Sequence, residues 1–201
     1  STSQASVYER HQFYESVLER FEKVLYLCVG SVFTGNYEAA RQWMKKNNKQ
    51  DRFLIMDTGA ASGRLGIIAL ATARYLAETR DMTKAVAFAG KAVDACEEYV
   101  FLDKLQYLAE GGRLSKTGAF FGDMLNVKPI ISPLPEGAKK VGTAKNQEDQ
   151  MKFALAKLDV SVKDDSKALM MLEYSDNKNW VEGTVKKKIE ELYPKAEIIL
   201  Q

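Results

Sequence analysis

Histidine and cysteine are almost missing from this chain of 201 residues: there is one histidine, His11, and there are two cysteines, Cys28 and Cys96. A Cys/His zinc site or a Ser-His-Asp triad needs more of these side chains than the sequence holds, so both chemistries fall away. His11 stands between Arg10 and Gln12 on what reads as a polar helix. The two cysteines are far apart, each in an apolar stretch, which is the pattern of buried reduced thiols. Net charge is lacking as well. Lys and Arg number 29 against 27 Asp and Glu, a balance of +2 that leaves no electrostatic footprint for nucleic acid or for an anionic membrane. No segment approaches the apolar length of a membrane span, on the order of eighteen residues, so stable membrane insertion is not expected. Ser1 to Arg10 is not a signal peptide, and a cytoplasmic location is the default expectation. What is present is ordinary for a folded globular protein: 46% hydrophobic and 28% charged residues, with no internal repeat and no low-complexity stretch.

The hydrophobic pattern alternates between two periods. Ser6-Val7-Tyr8-Glu9 is a capping box opening a helix to about Glu22, with Phe13, Val17 and Phe21 on one side. Val24 to Val29 is a continuous apolar run, as in a strand covered on both faces. A turn from Gly30 to Gly35 leads into a helix through about Asn48. Strand Arg52 to Asp57, helix Gly66 to Glu78 and helix Thr83 to Glu98 follow. Strand and helix in alternation with short connections predict a parallel sheet wrapped by helices.

Around Tyr99 the pattern changes. A short strand at 100–102, a helix at 104–110 ended by Gly111-Gly112, and a helix at about 116–125 precede a strand at 127–131. A hairpin turn at 133–137 returns through 140–143, and helix 147–158, strand 167–174, helix 178–192 and strand 196–200 complete the order. The fold class is therefore α/β, in two lobes: 1–99 with a parallel sheet, and 100–201 as a second α/β lobe with a mixed sheet. The basic run Lys186-Lys187-Lys188 is flanked by Glu182, Glu190 and Glu191 and reads as a solvated helix face. Met170 and Met171 read as strand core.

Three polar clusters fall where an open α/β sheet places its ligands, outside the carboxyl ends of strands. They are Thr2-Ser3-Gln4, Ser31-Val32-Phe33-Thr34-Gly35-Asn36 and Asp57-Thr58-Gly59-Ala60-Ala61-Ser62. Hydroxyls and backbone N–H groups at a helix N-terminus can hold a small anion, and Gly35 allows close approach. Taken singly, Thr34 and Ser62 are equally read as helix caps and Gly35 as a turn residue. No histidine is near in sequence to activate a hydroxyl, so the clusters suit holding an anion rather than reacting with it. A fourth cluster runs from Leu105 to Ser115, where Arg113 follows two capping glycines. Its guanidinium suits either a phosphate or carboxylate partner or a surface ion pair.

These residues together resemble the DegV family. Thr2-Ser3-Gln4-Ala5-Ser6 is similar to its TSQPS motif, with alanine for proline. Ser31 to Ala40 resembles S-x-L-S-G-T-Y-x-x-A, with Thr34 at the serine and Asn36 at the threonine. Asp57 to Ser62 is similar to D-S-x-x-x-S. Leu105 to Arg113, with Gly122 to Ile130, resembles L-x-x-L-x-x-G-G-R followed by L-N-x-K-P-I.

The resemblance implies a two-lobed α/β protein that binds a long-chain fatty acid, with no catalytic residue, metal or cofactor of its own. By position, Thr2, Ser3, Thr34 and the Gly35 backbone would hold the carboxylate. Phe33, Phe120, Phe121, Met124, Leu125 and Ile130 are candidates to line the acyl tunnel, although each also reads as ordinary core. Roughly fifteen methylenes at about 0.8 kcal/mol each contribute on the order of 10 kcal/mol before ordering costs, so the tunnel should set affinity and the hydroxyls orientation. The resemblance also implies a fatty-acid kinase partner that phosphorylates the presented carboxylate, with Arg113 as a candidate contact. A family-type opening strand before Ser1 and a histidine segment after Gln201 are not in the chain, which also begins without methionine, and a fragment is expected. A phosphotransferase-related enzyme, or a fragment serving only as an interaction surface, are the competing expectations.

Overall fold

The computed structural model describes residues 5–103, 128–163 and 167–201. They group into two compact units, one of residues 5–98 with the hairpin tip 133–139, the other of the remaining described residues.

The first unit opens with helix α1 (Val7–Arg20). Its capping box forms as the sequence predicts: Glu9 N donates to Ser6 Oγ at 3.2 Å, and Ser6 N donates to Glu9 Oε2 at 2.8 Å. Strand β1 (Val24–Cys28), helix α2 (Asn36–Lys46) and strand β2 (Phe53–Asp57) form one β-α-β crossover. The two strands run parallel from Val24 opposite Phe53 to Cys28 opposite Asp57. A parallel pair requires such a crossover, and α2 supplies it. Helices α3 (Ser62–Thr79) and α4 (Met82–Ala95) follow, joined through Arg80 in a left-handed conformation and capped at α4 by Asp81. The core is aromatic. Tyr14, Trp43 and Phe53 are buried with ring centroids 5.0 to 5.4 Å apart, against Leu18 and Ala40. The inward stripe of α1 is thus Tyr14 and Leu18, four residues apart, and not the predicted Phe13 and Phe21, which are exposed. One stripe over on a helix is a small rotation, and Trp43 and Phe53 choose between the two faces.

In the second unit, β3 (Val100–Phe101) pairs antiparallel with β4 (Lys128–Leu134), Val100 opposite Ile131 and Phe101 opposite Ile130. A two-residue turn joins β4 to β5 (Gly137–Ala144), its neighbour in a three-stranded sheet. Helix α5 (Gln147–Ser161), capped by Asn146, leads to strand β6 (Leu169–Leu172). The predicted helix over 178–192 forms as α6 (Lys178–Trp180), a wider π-helical segment Val181–Lys186 and α7 (Lys187–Leu192). Strand β7 (Glu197–Leu200) returns parallel to β6. Parallel and antiparallel pairing both occur, as expected of this lobe, in separate sheets among the described residues. Met170 packs with Val185, Ile189 and Tyr193 in its core. Lys186 and Lys188 pair with Glu190 and Glu191, which is how a solvated face disposes of a basic run.

Two weak acids of raised pKa, Cys28 buried and Tyr26 half-buried, tie this fold to pH. Burial pushes the Cys28 thiol up to about 12, with the Asp57 carboxylate adding to the shift. Burial likewise pushes the Tyr26 phenol up to about 12, with Cys28 and Tyr14 adding. The unfolded chain releases these protons at about pH 8.5 and 10 respectively, whereas the folded chain keeps them. Their stabilising contribution is therefore complete below pH 8.5 and falls as pH rises toward 12, at up to about 1.4 kcal/mol per pH unit for each group. Urea midpoints measured at pH 8 and pH 10.5 should show a clear loss at the higher value; equal midpoints would contradict the burial of these groups.

Candidate functional site

The parallel register brings the ends of β1 and β2 level, so the loops that follow them are neighbours. They touch as bare backbone. A Cβ on Gly30 would stand 2.8 Å from both Cα and C of Gly59, and Gly30 N donates to the Ala60 carbonyl at 2.8 Å. Gly59 has φ +60°, and a Cβ there would meet Pro135 Cγ at 2.9 Å. Glycine is thus required at both positions, at 30 for space and at 59 for space and backbone conformation.

Asp57 and Thr58 hold the crossing together. One oxygen of the Asp57 carboxylate accepts from Ser31 N at 3.0 Å and from Gly59 N at 3.2 Å. The Thr58 hydroxyl, 1% exposed, donates to the Cys28 carbonyl at 2.7 Å and accepts from Ala60 N at 3.1 Å. These are side-chain turns in which each residue bonds the backbone two positions on.

From this crossing α2 and α3 depart, and among the described residues both begin without a side-chain cap. The N-cap of α2 is Gly35, which has no side chain to offer, so the predicted alternative of Thr34 as the cap is not realised. The N-cap of α3 is Ala61. Ser62 is already inside the helix at φ +40°, its hydroxyl 2.5 Å from Glu98 Oε1. The other helices of comparable length, α1, α4 and α5, are capped by Ser6, Asp81 and Asn146. Backbone donors at a helix start are a partial positive charge, and leaving two such starts uncapped at adjacent strand ends makes the edge suited to an anion.

Thr34 and Gly35 therefore stand together at the start of α2, Thr34 half-buried and Gly35 exposed. Phe33 is half-buried in the same turn, its N–H on the Gly30 carbonyl at 2.9 Å. Ile130 is fully buried in β4 of the second unit. Thr2, Ser3, Arg113, Phe120, Phe121, Met124 and Leu125 lie outside the described residues. Among the described residues no group of His, Cys, Asp and Glu could hold a metal ion, and no helix is long and apolar enough to cross a membrane. Sequence reasoning missed the dual role of Asp57, for which the Asp-Thr-Gly turn signature was the available signal.

The model of the family described as Uncharacterised protein, DegV family, matches residues 1–201. The chain belongs to the DegV family. A DegV domain-containing protein of Streptococcus pyogenes serotype M1 is 29% identical over 202 residues, covering 95% of this chain and 66% of the relative. One from Caldanaerobacter subterraneus is 28% identical over 158 residues, 77% of this chain and 55% of the relative. The chain thus spans less than two thirds of the length of these curated relatives. Among solved structures, a fatty-acid-binding DegV family protein from Thermus thermophilus superposes with TM-score 0.81 at 21% identity, over the whole of this chain and 71% of its own. A DegV family protein from Corynebacterium glutamicum reaches TM-score 0.85 at 17% identity, over the whole of this chain and 76% of its own. DegV of Bacillus subtilis, a fatty acid binding protein, reaches 0.82 at 19% identity, over the whole of this chain and 71% of its own. These likenesses establish the DegV α/β fold.

Proposed function

We propose that this DegV-family chain binds one long-chain fatty acid by its carboxylate and presents it to a fatty-acid kinase, itself performing no catalysis. The observation that carries the binding half is the pair of helix starts at the ends of β1 and β2 that have no side-chain cap among the described residues. Family membership, and relatives of the same fold described as fatty acid binding, supply the ligand class. In this reading Thr2, Ser3 and Thr34 give hydroxyl donors and Gly35 a backbone N–H. Phe33, Phe120, Phe121, Met124, Leu125 and Ile130 contribute to the acyl tunnel, and Arg113 meets the kinase or its phosphate. The setting is the cytoplasm.

Threonine at 34 offers the same donor as serine with one added methyl. A hydrogen bond to a charged group contributes about 1.5–3 kcal/mol. Chain purified from a bacterial host, extracted under denaturing conditions and analysed by mass spectrometry, should carry about one equivalent of a C16–C18 fatty acid. Thr34→Ala should bind added palmitate at least about tenfold more weakly with the fold intact. A chain that arrives empty and refuses both palmitate and oleate would reject the carrier function, and unchanged palmitate affinity in Thr34→Ala would remove Thr34 from the clamp.

A further inference from the structure

Arg64 is a buried charge with no part in the site described so far. It sits in the first turn of α3 with 7% of its surface exposed, and both of its acceptors are neutral: Nη1 donates to the Pro133 carbonyl at 2.9 Å and Nη2 to the Val93 carbonyl at 2.8 Å. Its Nε has no hydrogen-bond partner among the described residues. Burying a guanidinium on two neutral carbonyls is expensive, and an apolar side chain of similar volume is commonly neutral or better for stability at such a position. What an apolar side chain cannot do is hold two carbonyls at a fixed separation; the rigid planar fork of arginine can.

The two carbonyls belong to the end of α4 and to the start of the hairpin tip. That tip rests on the loop crossing: Pro135 lies against Gly59, Gly59 against Gly30, and a Cβ at Gly137 would touch Val32 Cγ2 at 3.8 Å. The Pro135 ring, Gly59 and Gly30 thus stack with no flexible side chain among them. Any displacement of Pro133 passes through this stack to residues 30–35, which carry Ser31 N–H and the start of α2.

We propose that Arg64 is a positioning residue: by clamping the Pro133 and Val93 carbonyls it fixes the hairpin tip as a wall of the anion site and so holds the 30–35 loop in the geometry that grips a carboxylate. The proposal rests on the fatty-acid reading for its ligand, but the clamp itself can be tested without one.

The 201-residue chain, as wild type, Arg64→Met and Arg64→Lys, is titrated with palmitate labelled with 13C at the carboxyl carbon. Methionine removes both bonds, and lysine, a single point donor, cannot span both carbonyls. Both variants are expected to melt within a few degrees of wild type, to bind about tenfold more weakly, and to move the bound carboxyl resonance toward that of free palmitate. Wild-type affinity together with an unmoved resonance in both variants overturns the proposal. If Arg64→Met does not fold, Pro135→Gly takes its place, since it lifts the pyrrolidine ring from Gly59 and leaves the guanidinium alone. A moved resonance there supports the wall, and an unmoved one overturns it. If wild type takes up no palmitate, the fatty-acid reading fails separately, and the clamp is read from amide exchange at Ser31 and Gly59. Faster exchange in Arg64→Lys supports it, and unchanged exchange overturns it.

Discussion

Phe53→Ala is expected to cost about 3–5 kcal/mol, the range for truncating a fully buried aromatic. The ring is 2% exposed and meets Tyr14 at 5.2 Å, Trp43 at 5.4 Å and Tyr26 at 6.0 Å between centroids, so its removal leaves three aromatic neighbours facing a void. Domains of this size are stable by about 5–15 kcal/mol in total, so this one change takes a large share. It also loosens the first residue of β2, opposite Val24, in the strand whose far end carries Asp57. Urea unfolding followed by tryptophan fluorescence measures it, because Trp43 lies in the same cluster. A loss below about 1 kcal/mol would mean that the cluster closes over the gap left by the ring.

How much of this could be read beforehand depended on where each partner lay in the chain. The run Val24 to Val29 declared a covered strand, and Ser6 with Glu9 declared a helix start, because cause and consequence are within a few residues. Family membership was equally legible, since motifs around residues 2, 34 and 57 are local strings. Helix α3 begins at Ser62 rather than at the predicted Gly66, because Ser62, Gly63 and Arg64 show no apolar periodicity and only the fold recruits them. The π-helical segment at Val181–Lys186 was hidden in a pattern that a regular helix fits as well. At the candidate site, the uncapped start of α2 was visible as Gly35 in a polar turn, but the Gly30–Gly59–Pro135 stack was not. Its members are brought together by sheet register and a distant hairpin. Arg64 is the extreme case, with acceptors 29 and 69 residues away and nothing in its own neighbourhood to distinguish it from a surface arginine.

Gly30→Ala and Gly90→Ala should move stability in opposite directions, although both add one methyl group. At Gly90, inside α4, an added Cβ meets nothing within 4 Å, so alanine gains the helix preference alone, up to about 1 kcal/mol. At Gly30 the same Cβ would lie 2.8 Å from the Gly59 backbone, which has no flexible side chain to swing aside. The two loops must separate, at about 1–3 kcal/mol. Separation also stretches the bond from Ser31 N to the Asp57 carboxylate and the bond from Gly30 N to the Ala60 carbonyl, 3.0 and 2.8 Å in the folded chain. Thermal melts of the two variants beside wild type give the sign of each effect. Amide exchange at Ser31 separates a local opening of the site from general weakening, because only the former speeds exchange there while the Phe53 cluster stays protected. If Gly30→Ala instead matched wild type in both, the two loops would have room between them, and the close crossing that aligns the α2 and α3 starts could not be what shapes the candidate site.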